Sequence, residues 1–171
     1  MKTRLANIMT AAARIRRSKG FGIHSPFAFN FVINVLRLSN RYRYYAYHTL
    51  PKGEARMIFR IANSFNPSTI TEYGEPCPLD AFDARKSTLI PEDNPFVIVS
   101  NAALAPTKRL LDVAQSTGVI IVRGLQHSAA QKALWESVMA CDRSGMSFSN
   151  NKIGIFVASP KLPRQHFSLW L

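Results

Sequence analysis

Apolar residues recur in two distinct rhythms along this chain, and the change of rhythm divides it. Up to Phe65 the spacing is helical. Leu5, Ile8, Met9, Ala12 and Ile15 fall on one face of a first helix, which Gly20-Phe21-Gly22 ends. Ser25-Pro26 is a capping residue followed by a proline at the first helical position. It opens a second helix, over Pro26 to Leu38, that is apolar on most sides and therefore buried. A third helix, Glu54 to Phe65, presents Met57, Ile58, Ile61, Ala62 and Phe65 inward and is stopped by Asn66-Pro67.

From Thr69 onward, short strands alternate with helices. Strands are predicted at Thr69–Tyr73, Phe96–Ser100 and Val119–Val122, and Phe96–Ser100 is apolar throughout, as buried parallel strands are. Helices are predicted over Leu79–Lys86, over Pro106–Ala114 and from a cap at Ser128 to about Cys141, the last with Leu134, Trp135 and Val138 inward. Met146–Phe148, Ile153–Ala158 and Phe167–Leu171 read as strands of a closing antiparallel part. The alternation predicts an α/β fold, an open and mostly parallel sheet with helices on both faces. Residues 1–53 form a basic helical segment packed on the body, and 54–171 form the α/β domain.

Charge sharpens this division. The chain has 171 residues and a formal net charge of +12. Residues 1–60 carry 12 Lys and Arg against the single acid Glu54, whereas residues 61–171 carry 10 against 9. The excess lies in the first third, and an anionic partner such as nucleic acid or a membrane surface is one reading, a solvated basic helix the other. For nucleic acid the candidate residues are Arg14, Arg16, Arg17, Lys19, Arg41 and Arg43. The last two stand in Arg41-Tyr42-Arg43-Tyr44-Tyr45-Ala46-Tyr47, where aromatics either stack bases or pack a loop on the body. Asn7 and Thr10 break the apolar part of the first helix and arginines follow it, unlike a signal peptide. No apolar run is long enough to span a bilayer. Cys77 and Cys141 are far apart and in no metal-like spacing. A reduced, cytoplasmic setting is expected, with a single disulfide left open.

Gly22-Ile23-His24-Ser25-Pro26-Phe27, followed by Tyr44-Tyr45-Ala46-Tyr47, resembles the N-terminal region of a group of bacterial class I S-adenosylmethionine-dependent methyltransferases. Phe59-Arg60, Asn63, Phe65 and Pro67, then Ile70, Glu72 and Gly74, resemble the helix and first strand that lead into that family's cofactor turn. Trp135-Glu136 resembles the helix after the family's fifth strand, and Gly154-Ile155-Phe156-Val157 with His166-Phe167 its final hairpin. The resemblance implies a Rossmann-like, three-layer fold and S-adenosylmethionine as the cofactor of any retained activity.

The departures from that pattern change what it implies. Glu72 and Gly74 match the cofactor turn, but Pro76 and Pro78 stand where further glycines belong, removing N–H donors and fixing φ. Only the 21 residues 75–95 separate Gly74 from Phe96. One crossover takes roughly a dozen residues and a full βαβ unit about 30. The family's second and third strands are therefore expected to be missing, and with them the acid that binds ribose. Of the family's Asp-Gly-Asn-His run after its fourth strand only Asn101 survives. Arg123, Gly124, Gln126 and His127 replace the acids and the His-Trp pair after the fifth. An arginine at position 123 reverses the local charge against a metal or an amine.

The leading expectation is a catalytically inactive, methyltransferase-like scaffold or binding protein that binds no cofactor, with Glu72, Gly74 and Asn101 as remnant cofactor positions. The second is an active methyltransferase with an altered cofactor site, completed across a dimer. The third is a basic nucleic-acid-binding module. A shortened sheet also leaves the first strand's outer side to be covered by a helix or by a second copy of the chain. Among the histidines, His127 follows a strand's carboxyl end, where doubly wound sheets bind ligands. His24 reads as structural.

Overall fold

A computed structural model of the chain describes residues 2–37, 53–67, 69–77, 94–141 and 144–170, with side chains from Thr10 onward. Arg41, Arg43 and the tyrosine-rich tract lie outside the described residues. So do the helix expected over Leu79–Lys86 and the connection on which the missing strands were inferred.

The elements run α1 (Lys2–Ser18), α2 (Pro26–Asn30) continuing as a π-helix (Phe31–Arg37), α3 (Glu54–Phe65), β1 (Thr69–Tyr73), β2 (Pro95–Val99), a 3-10 turn (Ala102–Leu104), α4 (Thr107–Gln115), β3 (Gly118–Arg123), α5 (Ala129–Ala140), β4 (Gly145–Ser149), β5 (Ile153–Ala158) and β6 (Gln165–Ser168). The described strands form one mixed sheet in the order β1-β2-β3-β5-β4-β6. β1, β2 and β3 are parallel, and β5 runs antiparallel between β3 and β4. Among the described residues β1 is paired only by β2.

Strand alternation explains the layers. Phe96, Ile98, Val119 and Ile121 face one side of the sheet and join Phe31, Val32, Ile58 and Ile61. Val97, Val99, Ile120 and Val122 face the other side and join Leu110 of α4 with Leu134, Trp135 and Val138 of α5. The π-helix and α3 therefore cover one face, α4 and α5 the opposite one, and the runs that feed both are apolar without interruption. Phe31 is the hinge of the first core, with its ring 4.8 Å from Phe148 and 5.8 Å from Phe65.

The terminators act as the sequence implies. The Ser25 hydroxyl accepts from the Ala28 amide and the Ser128 hydroxyl from the Gln131 amide. Asn66 takes the left-handed conformation at the end of α3, φ 43°, with its amide on the Ala62 carbonyl.

Two expectations are corrected. The second helix is not one α-helix, because it widens to π geometry at Phe31. Buried Arg60 of α3 donates to the Val35 carbonyl at 2.6 Å and to the Leu36 carbonyl at 2.6 Å, so that the carbonyls of these turns are held by a side chain. The last strand is not part of an antiparallel closure. β6 pairs in parallel with β4, Phe148 opposite Phe167, because residues 159–164 step past the start of β4 and set β6 on its outer side, running against β5. The apolar stripe of α1 is not wholly turned inward. Ala12 is exposed and Ile15 is 42 % exposed, while Ser18 is buried and Arg14 half-buried. Hydrogen bonds decide this docking. Arg14 donates to the Ser168 hydroxyl and the Asn151 carboxamide, Arg37 donates to the Ser18 carbonyl, and the Ser18 hydroxyl accepts from the Trp170 amide.

Candidate functional site

Parallel strands end together, and here the ends of β1, β2 and β3 bring Gly74, Ser100 and Arg123 to one edge of the sheet. The turn after β1 is closed by the chain itself. The Tyr73 carbonyl accepts from the amides of Ser100 (2.8 Å) and Asn101 (3.1 Å). Gly74 has φ +105°, and on the side where a side chain would project it meets the Ser100 hydroxyl and the Asn101 amide. The Ser100 hydroxyl also reaches the Glu75 carbonyl at 3.1 Å.

Glu72, Gly74 and Asn101, the expected cofactor positions, therefore lie at one strand-end region, and each is engaged internally. The Glu72 carboxylate accepts from the Cys77 amide at 2.8 Å, folding the Glu-Pro-Cys segment back onto the strand end. Gly74 provides the backbone conformation that permits the close approach of β2's end. The Asn101 carboxamide accepts from the Ala103 amide and caps the 3-10 turn. Burial pushes the Cys77 thiol up to about 11, with Arg123 drawing it down and Glu72 and Glu54 pushing it further up, so this cysteine is a poor nucleophile.

Beside this turn opens a cavity of about 350 Å³ at the ends of β2 and β3, lined by Glu54, Ser100, Arg123, His127, Gln131 and Lys152 among others. Sequence reasoning placed His127 here correctly. Its exposed ring stands 3.0 Å from the Gln126 carboxamide. The expected reversal of charge at Arg123 does not hold. The first residue of α3, Glu54, pairs with the Arg123 guanidinium at 2.5 Å and neutralises it, and the same guanidinium donates to the Glu75 carbonyl. Glu54 was missed because its partner lies 69 residues away and no local pattern joins them. Gln131 was missed as well. Buried inside the first turn of α5, its amide nitrogen donates to the Ser100 carbonyl (2.7 Å) and to the Arg123 carbonyl (2.8 Å), tying the ends of β2 and β3 together.

Farther along the same edge, a cleft of about 430 Å³ lies between α1, the β4–β5 turn and the residues after β6. Arg14 lines it, together with Lys152 and the exposed Trp170. Arg16, Arg17 and Lys19 are exposed on α1 and its end, outside this cleft. Among the described residues, no helix is long and apolar enough to cross a membrane.

Compared with protein-family models, with curated proteins and with solved structures, the chain matches none of them.

Proposed function

We propose that this chain is a methyltransferase-like scaffold of Rossmann type with a shortened sheet, which has lost cofactor chemistry and serves in binding. The observation that carries the reading is the self-engagement of the turn after β1. In the enzymes the chain resembles, this turn leaves backbone and an acid open to S-adenosylmethionine. Here Ser100 and Asn101 fill the space beside Gly74, and the Glu72 carboxylate is taken by the Cys77 amide. A cofactor would have to displace hydrogen bonds that fold the turn, and Pro76 offers no amide in exchange. The residues present do not fit the group.

The strand order gives the family relation its support. An antiparallel β5 between the mutually parallel β3 and β4 is compatible with the closing antiparallel part that the resemblance implies, although the antiparallel pair is β4–β5 and not β5 with His166-Phe167. The β1–β2 neighbourhood, joined by a connection too short for two further βαβ units, supports the shortening.

Isothermal titration of the chain with S-adenosylmethionine and with S-adenosylhomocysteine tests the reading. No heat of binding is expected from either. A micromolar dissociation constant for one of them overturns it.

A further inference from the structure

The cleft under α1 differs in chemistry from the cavity beside it. Glu54 and Glu75 balance Arg123 and Lys152 in that cavity, whereas among the described residues no acid lines the cleft. Arg14, Asn150, Asn151 and Lys152 bring hydrogen-bond donors to it, beside the Gln126 carboxamide. Arg14 is fixed in place by the Ser168 hydroxyl at 2.7 Å and the Asn151 carboxamide oxygen at 3.2 Å. Asn151 thus has its acceptor engaged and its NH2 left to donate. Asn150 is in the same position, its oxygen accepting from the amides of Lys152 (2.7 Å) and Ile153 (2.8 Å) within the turn. Lys152 adds a second exposed cation.

Trp170 supplies a different kind of surface. Its indole is 61 % exposed, yet its backbone is pinned on both sides. The Leu169 amide donates to the Ser149 carbonyl at 2.8 Å and the Trp170 amide to the Ser18 hydroxyl at 2.7 Å, while the Leu169 side chain is buried in the core. A large, mostly apolar side chain exposed on an anchored backbone beside cationic and amide donors is a stacking platform next to anion-binding groups. α1, which forms one wall, carries no acid at all.

We propose that this cleft binds single-stranded nucleic acid, with a base stacked on Trp170 and the flanking phosphates held by Arg14 and Lys152. Phosphates and base carbonyls are the acceptors that a donor-lined cleft selects. A concave site with one platform takes an unstacked base and not a paired helix. A flat anionic membrane satisfies the charge but cannot enter the concavity. Lys152 and Gln126 also line the neighbouring cavity, so a strand leaving the cleft continues along the carboxyl edge of the sheet. The site is separate from the turn after β1, and its failure would leave the reading of that turn intact.

The test is fluorescence anisotropy of the full chain with a labelled short oligouridylate and, in parallel, its oligothymidylate counterpart. Binding of either supports the proposal, and the tighter one names the source. Affinity is expected to fall steeply with salt. Trp170→Ala should weaken binding about tenfold without lowering the melting temperature, since the ring is exposed. Lys152→Gln should lessen the slope of log affinity against log salt by about 0.7. Lys161→Gln removes the same charge from the opposite edge of the sheet and should leave that slope unchanged. The proposal is overturned if neither oligonucleotide binds, if Trp170→Ala binds within about twofold of the parent, if Lys161→Gln acts like Lys152→Gln, or if duplex competes as well as single strand. Binding to phosphatidylglycerol vesicles without binding to oligonucleotide overturns it in favour of a membrane surface.

Discussion

The carboxyl edge of the sheet has two halves that solve opposite problems. At β1, β2 and β3 the strand ends are knitted to one another. Tyr73, Gly74 and Ser100 are in mutual contact, Gln131 bridges two strand ends, and Glu54 neutralises Arg123. Beyond the β4–β5 turn and β6, the edge is held from beneath by Leu169 and Ser18, and its upper side presents Arg14, Lys152 and Trp170 to solvent. In the first half polar groups satisfy the protein. In the second they are positioned by the protein and kept available. One half of an edge can be sealed while the other presents polar groups to solvent, provided that the presented groups are anchored by others.

The sharpest break in this comparison comes from Gly74→Ala. Its φ of +105° disfavours any side chain, and the new Cβ would press on the Asn101 backbone amide at 2.8 Å, which cannot yield as a flexible side chain would. Strain and overlap together should cost roughly 3 kcal/mol in urea unfolding. Gly22→Ala is the control. Gly22 also has positive φ, at +75°, but none of the described residues lies within 4 Å of the added carbon, so about 1 kcal/mol is expected. Equal losses at the two positions would mean that the turn after β1 is not closed as described.

Gln131→Leu probes the same half more gently. It keeps the volume but removes the donor shared by two strand-end carbonyls. A loss of roughly 2 kcal/mol is expected. The Gln131 carboxamide oxygen has no hydrogen-bond partner among the described residues, which moderates the effect because leucine removes that unpaired acceptor as well. A variant as stable as the parent would show that the bridge is not needed to hold β2 and β3.

The smallest effect belongs to the open half. His166 on β6 meets the Ser147 hydroxyl at 2.6 Å, and burial, helped by the nearby Arg164 charge, holds its pKa below the usual 6.5. The folded state therefore binds fewer protons than the unfolded state just below that pH. Its contribution is complete above pH 6.5 and is lost as pH falls through the lowered folded value. Melting temperature should drop more for the parent than for His166→Gln between about pH 7 and about pH 5. Parallel curves for the two proteins would remove His166 from the account.

The chain's own pattern determined most elements and their limits. Ser25, Asn66 and Ser128 act on backbone groups within four residues, so their roles are written locally. The apolar runs of β2 and β3 required burial on both faces, and their alternation with helical segments pointed to an α/β arrangement. Tertiary structure decided what the pattern could not contain. The pairing of Glu54 with Arg123, the bridge of Gln131, the capture of the π-helical carbonyls by Arg60 and the parallel return of β6 each join positions far apart in the chain. The same is true of α1. Its spacing offered an apolar face, but Arg14 and Ser18 found partners in Ser168, Asn151 and Trp170, and those bonds chose the face that docks. Periodicity reports which side of a helix avoids water. Where polar groups find better-placed partners than water, it no longer decides the orientation, and only the assembled neighbours do.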